Sequence, residues 1–440
     1  MTATSAAPGS RRTNVRWWIV VFLFFLTAVN YGDRATLSVV NTQLSDALKL
    51  DPAAMGWLLS AFGWAYALCQ IPGGWLLDKF GTKRIYFWSI ALWSLCTIAQ
   101  GFVGGFGPGT ALGTLFVLRF LLGVAESPSF PGNARIVAAW FPTAERGTAS
   151  AIFNSAQYFA TVLFTWLMGR ITHEYGWPQV FWFMGSVGLL FAVVWPKLIH
   201  GPREHPRVNA AEIAHIEHGG GLVDMDRKGP VVRWSMLGQL LGNRMLLGIY
   251  LAQYCITTLT WFFLTWFPAY LQRERGMNIL EATGWAIVLP ALCGFIGGIT
   301  GGFFSDHLLR RGFSLTLARK IPIIFGMMLS MVIIGCNYVA AQGMVIALMA
   351  LAYFGKGVGA LGWAVASDVS PKEITGLNGG LFNMFGNLAG ITTPIAIGYI
   401  VKHTGSFNGA LLFVGLHALF AMACYLFVVG EIKRVELKAA

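Results

Sequence analysis

Five charged residues lie inside stretches that are otherwise apolar. They are Asp33 and Arg34 in NYGDRATLSVV, Arg119 and Glu126 in LFVLRFLLGVAES, and Lys356 in MALAYFGKGVGA. A charged side chain near the middle of a membrane helix costs roughly 2.5 to 3.5 kcal/mol, so such residues face a polar cavity or a partner and mark an ion or substrate path. Arg119 and Glu126 are seven positions apart, two turns along one helix face. Counting 1.5 Å per residue places Arg119 at a depth similar to Asp33, so its guanidinium could reach either Asp33 or Glu126. A carboxylate in a dry cavity holds its proton more tightly, and a neighbouring guanidinium loosens that hold. Asp33, Arg119 and Glu126 therefore suit a proton relay. The competing reading is a purely structural ion network, which is a poor way to stabilise a core.

These residues need elements that carry them into lipid. Hydrophobic residues make up 56% of the 440 positions and charged residues 11%, where a soluble domain has about a quarter charged. Mean hydropathy is +0.62. The chain reads as an all-α membrane protein with room for about twelve spans of about twenty residues. Apolar runs place them near 17–40, 55–77, 85–103, 111–131, 148–170 and 179–198, then 245–268, 284–304, 320–340, 344–366, 379–401 and 409–430. A single long polar connection, Gly201 to Asn243, separates two six-helix halves: 1–200, a linker at 201–243, and 244–440. The first run continues into Tyr31-Gly32-Asp33-Arg34 without a small-residue cleavage site, so it reads as a retained helix and not a signal peptide.

Most basic residues fall on one side of this topology: Arg11, Arg12 and Arg16, Lys79, Lys83 and Arg84, Arg146, Arg203 and Arg207, Arg227 and Lys228, Arg310 and Arg311, Arg319 and Lys320, Lys372, Lys433 and Arg434. The positive-inside rule then predicts that both termini and the linker are cytoplasmic. The net charge of +12 reflects this bias and contact with anionic headgroups, not nucleic-acid binding. Cys69, Cys96, Cys255, Cys293, Cys336 and Cys424 stand singly in apolar runs, without disulfide or metal spacing.

An internal repeat supports the two halves. Gly74, Asp78, Gly81, Lys83 and Arg84 follow the second helix as GWLLDKFGTKR, and Gly302, Asp306 and Arg310 follow the eighth as GFFSDHLLRR. An Asp near a helix end followed by a basic turn can tie helices together in one conformation and release them in another, a gating role.

The segment GGWLLDKFGTKR resembles the signature loop of the major facilitator superfamily, and Leu115-x-x-x-Arg119-x-x-x-Gly123 resembles its fourth-helix motif. NYGDRATLS, CQIPGGWLLD, AESPSFPGNARIVAAWFP, NSAQYFAT and GGLFNMFGNLAGI are similar to the anion:cation symporter family, in its bacterial sugar-acid branch. The likeness to glucarate/galactarate transporters extends into VGEIKRVELK. The resemblance implies a twelve-helix fold in two halves, a bacterial cytoplasmic (inner) membrane location, proton coupling through the acidic pair Asp33 and Glu126, and a working monomer. No cofactor is expected beyond the coupling proton.

For the substrate, Arg34 offers a planar fork that matches a carboxylate. Lys356, about twelve residues into the tenth helix, offers a second cation for a dicarboxylate. The alternative for Lys356 is pairing with helix carbonyls or snorkelling. Tyr31, Tyr66, Gln157 and Asn383, with Trp363 as a wall, match binding positions of the family, while Asn154 and Gln253 stay unranked. The expected function is proton-coupled import of a hexarate dianion. A mono-acid such as galactonate or a hexuronate, needing only one cation, is the alternative.

Other motifs are set aside. Gly357-x-Gly359-x-x-Gly362 has dinucleotide-fingerprint spacing but lies in an apolar helix with no βαβ context. Gly294, Gly298 and Gly302 form small-xxx-small steps suited to close helix packing. His200, His205, His215 and His218 crowd the linker, but the absence of cysteines argues for a solvated tether, with Asn209-Ala-Ala-Glu212 capping a short helix, and no metal. An enzyme would need a nucleophile and base or a metal set, and no His falls in the central bundle positions.

Overall fold

The computed structural model describes residues 12–142, 145–223, 234–371 and 375–436. Twelve long helices carry the fold. In the first half they are α1 (Val15–Val39), α2 (Pro52–Phe80), α3 (Thr82–Gln100), α4 (Pro108–Glu126), α5 (Arg146–Tyr175) and α6 (Trp177–Leu198). The second half holds α7 (Arg244–Thr265), α8 (Trp285–Arg310), α9 (Leu315–Ser330), α10 (Gln342–Val358), α11 (Thr375–Thr404) and α12 (Asn408–Ala423). All twelve expected spans are found. Eleven are long and apolar enough to cross a membrane by length and composition. The twelfth, α5, is more polar because it carries Asn154, Gln157, Thr161, Thr165 and Arg170.

Two spans are broken where the apolar pattern runs on. α4 stops at Glu126 because Pro128 lacks an amide hydrogen and its ring crowds the preceding turn. The chain resumes as the helix Ser129–Trp140, so the span expected to end at 131 continues to 140. The Ser129 hydroxyl donates to the Glu126 carbonyl across the break. α10 likewise stops at Val358 and resumes as Gly362–Val369, in place of one continuous helix. Gly355, Gly357 and Gly359 weaken the helix there, and Ala360 N–H turns to Gly357 O at 2.9 Å.

The glycines of α8 form a close backbone contact with α10, on a different register from the expected one. A Cβ on Gly297 would lie 2.2 Å from the Phe354 carbonyl, and one on Gly301 2.3 Å from that of Val358. Gly294 meets the Tyr353 ring, and a Cβ on Gly357 would lie 2.2 Å from the Gly294 carbonyl. The Gly298 nitrogen lies 2.7 Å from that same Gly357 position, but its own Cβ position points off this face, as does that of Gly302. Steps of four drift around a helix of 3.6 residues per turn, whereas 294, 297 and 301 stay on one face.

The first part of the linker is no solvated tether. Its helix, Ala210–His218, is seated on the first half, with Glu212 and Ile216 fully buried. The Glu212 carboxylate accepts from the Val15 amide (3.1 Å), the Arg16 amide (3.2 Å), Arg16 Nη1 (3.0 Å) and the Thr13 hydroxyl (2.6 Å). It therefore satisfies the orphan donors at the start of α1 and meets the positive end of that helix. Asn209 caps the short helix as expected, accepting from Glu212 N at 2.9 Å. Glu145 joins this cluster, accepting from Arg16 Nε at 2.9 Å and lying 3.1 Å from His215 Nε2. Among the described residues no group of His, Cys, Asp and Glu could hold a metal. Arg11, Arg227 and Lys228 lie outside the described residues, as does Lys372.

The face opposite the chain termini, the distal face, is closed by contacts between the halves. Asp51 pairs with Lys402 at 2.9 Å, Asp46 lies 3.8 Å from Arg273, and Trp57 Nε1 donates to Tyr399 at 3.4 Å. Below them α2 and α11 touch backbone to backbone: a Cβ on Gly56 would lie 2.5 Å from the Pro394 carbonyl, and one on Gly63 2.7 Å from that of Gly390.

Candidate functional site

The two helix breaks place charges in repeat-related positions. Glu126 is the last residue of α4, and Lys356 lies two residues before the end of α10. Breaks of this kind near the midplane free backbone polar groups and are tolerated where they line a cavity.

Glu126 is fully buried and its Oε2 accepts from Arg34 Nε at 2.9 Å. This differs from the expected geometry, in which Arg119 reaches a carboxylate. Arg119 instead donates to the backbone carbonyls of Asp33 and Arg34, both at 3.3 Å, and so pins α1 at this level. Asp33 is fully buried, and neither of its carboxyl oxygens has a hydrogen-bond partner. The Arg34 guanidinium sits in an aromatic box, with its carbon 4.6 Å from the Tyr66 centroid, 4.9 Å from those of Tyr31 and Phe62, and 5.8 Å from that of Phe130. Depth estimates could not foresee the Arg34–Glu126 pairing, because helix rise fixes height and not azimuth.

Lys356 is buried among apolar neighbours. Its Nζ lies 5.3 Å from the Tyr353 centroid, a cation–π contact, and no carboxylate pairs with it among the described residues. A cavity opens between the halves and is lined by α1, α5, α7, α8 and α10. Tyr31 and Gln157 line it, with Arg34 behind Tyr31 and Lys356 behind Tyr353. Gln157 Nε2 donates to Asn154 O at 3.1 Å.

The other expected binding residues do not line the cavity. Tyr66 packs on Arg34. Asn383 Nδ2 donates to Gln70 Oε1 at 3.1 Å, across the halves. Trp363, in the short helix after the break, is 56% exposed and meets Phe382 edge-on.

Near the terminal face the repeat residues are apart. Gly74 and Gly302, which open the two loop motifs, have no atom within 4 Å of a would-be Cβ. Gly81 has φ +85°, so its glycine is required by the turn between α2 and α3. The Asp78 side chain lies outside the described residues. Lys83 offers its carbonyl to Trp195 Nε1 at 2.9 Å, while the side chain of Arg84 is exposed. In the second half the organising cation is Arg319, not Arg310. It pairs with Asp368 at 2.8 Å, donates to the Ser305 hydroxyl at 2.8 Å, and lies 3.8 Å from Asp306, whereas Arg310 is exposed. The sequence showed Arg319 only as a flanking charge, and nothing in its spacing distinguishes it from its neighbours.

The chain is 58% identical over 446 residues to the probable galactarate/D-glucarate transporter GudP of Escherichia coli (strain K12), covering 100% of this chain and 99% of that one. It is 59% identical to the probable galactarate/D-glucarate transporter GudP of Bacillus subtilis (strain 168), with 99% and 96% covered. A D-galactonate transporter of Escherichia coli O6:H1 is 39% identical, with 98% of each chain covered. Among solved structures, a D-xylose-proton symporter superposes with a TM-score of 0.72 at 16% identity, covering 95% of this chain and 98% of that one. A model of the Major Facilitator Superfamily matches residues 23–335. With twelve helices in two repeat-related halves and a buried charge beside a helix break in each half, the chain belongs to the Major Facilitator Superfamily.

Proposed function

We propose that the chain is a proton-coupled importer of hexarate dianions, of the galactarate and D-glucarate type, working by alternating access between its two halves. The observation that carries this reading is the buried Arg34–Glu126 pair. Arg34 is the group best shaped to hold a substrate carboxylate, yet an internal carboxylate occupies it. An arriving anion must displace Glu126, and a proton on Glu126 removes the charge that competes. Proton and anion therefore favour each other's binding, and that coupling is reciprocal. Asp33, buried with unpartnered oxygens beside Arg119, is the second proton carrier.

The named substrates of the relatives at 58% and 59% identity support the diacid, and the galactonate relative stands further off at 39%. Lys356, buried and unpaired by any described carboxylate, is the specific feature that favours a diacid over a mono-acid. Each negative charge entering an inside-negative cell is opposed by about 2.3 kcal/mol per 100 mV, so about two protons restore electroneutrality for a dianion. We place the protein in the bacterial cytoplasmic membrane as a monomer, with both termini and the linker cytoplasmic. The closed distal face is then the outer one, and the state is inward-facing.

The test is uptake of radiolabelled D-glucarate into proteoliposomes under an inward proton gradient, competed by galactarate, galactonate and glucuronate, for the native chain and Lys356→Ala. Competition by diacids alone, with uptake lost in Lys356→Ala, is expected. Equal competition by galactonate with a silent Lys356→Ala would return the assignment to the mono-acid.

A further inference from the structure

Three tyrosines converge on the cavity between the halves: Tyr31 from α1, Tyr158 from α5 and Tyr353 from α10. All three are half-buried, and among the described residues none of their hydroxyls is tied to a protein partner, so each polar end is available to the cavity.

Each ring is held by another aromatic. Tyr353 stacks on Phe263 with centroids 4.2 Å apart, Tyr158 meets Phe295 at 5.4 Å, and Tyr31 meets Phe130 at 6.0 Å. The rings are thus fixed while their polar ends stay unused. They also alternate with the cations, since Arg34 stands over Tyr31 and Lys356 over Tyr353.

We propose that Tyr158 and Tyr353, together with Tyr31, form the wall that reads the hydroxyl groups of the substrate, between the two cations that hold its carboxylates. This rests on the sugar-diacid reading above and assigns specificity to residues outside the charged set. A phenol hydroxyl both donates and accepts, and it rotates. Such a wall rewards a chain of vicinal hydroxyls while tolerating their configuration, which suits diacids that differ only in stereochemistry. An unsubstituted diacid of equal length satisfies the cations but leaves the phenols unpaired, and a site with unpaired buried polar groups rejects such a ligand.

The test compares inhibition constants for D-glucarate and for adipate, the six-carbon diacid without hydroxyls, in the wild type, Tyr158→Phe and Tyr353→Phe. Phenylalanine keeps the ring and its packing. The expected result is that each substitution weakens D-glucarate by about 3- to 10-fold, the scale of one neutral hydrogen bond. Adipate should stay within about 2-fold, so that the preference for the hydroxylated acid shrinks. A preference unchanged in both variants, with the wild type still binding D-glucarate, overturns the tyrosine wall and leaves the transport reading intact. Failure of the wild type to bind D-glucarate, with galactonate bound normally, overturns the diacid reading beneath it. Equal loss of D-glucarate and adipate shows that the phenols act only in shaping the cavity, and also overturns the proposal.

Discussion

At the scale of single residues, the site is a contest for one guanidinium. Arg34 has no route to a lower charge state, so the state of Glu126 decides whether it is available. Glu126→Gln removes the competing charge while keeping the shape. It is expected to retain exchange of labelled for unlabelled diacid across the membrane while losing accumulation driven by a proton gradient by 10-fold or more, as measured by counterflow and gradient-driven uptake on the same vesicles. Full accumulation in this variant would remove Glu126 from coupling. Arg34→Lys keeps the charge but loses the planar fork, and is expected to weaken diacid binding by at least about 10-fold. The chemistry of these residues was legible in the sequence because a charge in an apolar run needs an explanation. Their pairing was not, because residues 34 and 126 meet only through the azimuths of two helices, which packing sets. The unpaired phenols were equally hidden, since a tyrosine in a bundle looks the same in a sequence whether or not its hydroxyl is satisfied.

At the scale of elements, the twelve helices were readable from length and hydropathy, but the two breaks that matter were not placed. The apolar pattern runs straight through Ser127-Pro128 and Gly359–Leu361, and only proline and glycine mark the interruption. The α8–α10 contact gives the sharpest stability prediction. Gly297→Val would press a branched side chain into the Phe354 carbonyl, 2.2 Å from the first added carbon, so the two helices must separate. Overpacking of this kind costs about 1–3 kcal/mol and should lower the thermal midpoint in detergent. Gly302→Ala, which meets open space, should leave it unchanged. Equal melting of both variants would contradict the packing face drawn here. The linker helix supplies a pH prediction. Burial raises the affinity of Glu145 for a proton, but hydrogen bonds from Arg16 and His215 outweigh it and hold the carboxyl below its ordinary value. A group depressed in the folded state contributes stability above its unfolded value, and that contribution disappears as pH falls through the folded one. The Glu145 contribution to the seating of the linker helix should therefore be lost in acid, below about pH 4, as followed by hydrogen exchange of residues 210–218. Glu145→Gln should shrink the acid step.

At the scale of the whole molecule, the halves meet along two seams that close at the distal face and part toward the terminal one. Among the described residues, Gln70–Asn383 and Tyr158–Phe295 join the halves on the terminal side, and beyond them Gly74 and Gly302 face empty space. The paired cysteine variant Asp51→Cys/Lys402→Cys, across the 2.9 Å ion pair, should be joined by a short bis-methanethiosulfonate cross-linker and stop uptake, with reductant restoring it. Undiminished uptake by the bridged protein would mean that the distal face need not open. The ion pair itself is exposed enough that neutralising it should change stability by less than about 1 kcal/mol. Two-half organisation was legible in the repeat, whereas closure on one side was not, because one sequence must encode both states. The buried Glu212 also decides where this molecule can be cut. A fragment ending at residue 200 would leave the first half without the carboxylate that completes α1, while one ending at residue 223 would carry it. Co-expressed fragments 1–223 and 224–440 should reassemble into a working transporter, and 1–200 with 201–440 should do so poorly. By its packing, the linker helix is the last piece of the first half.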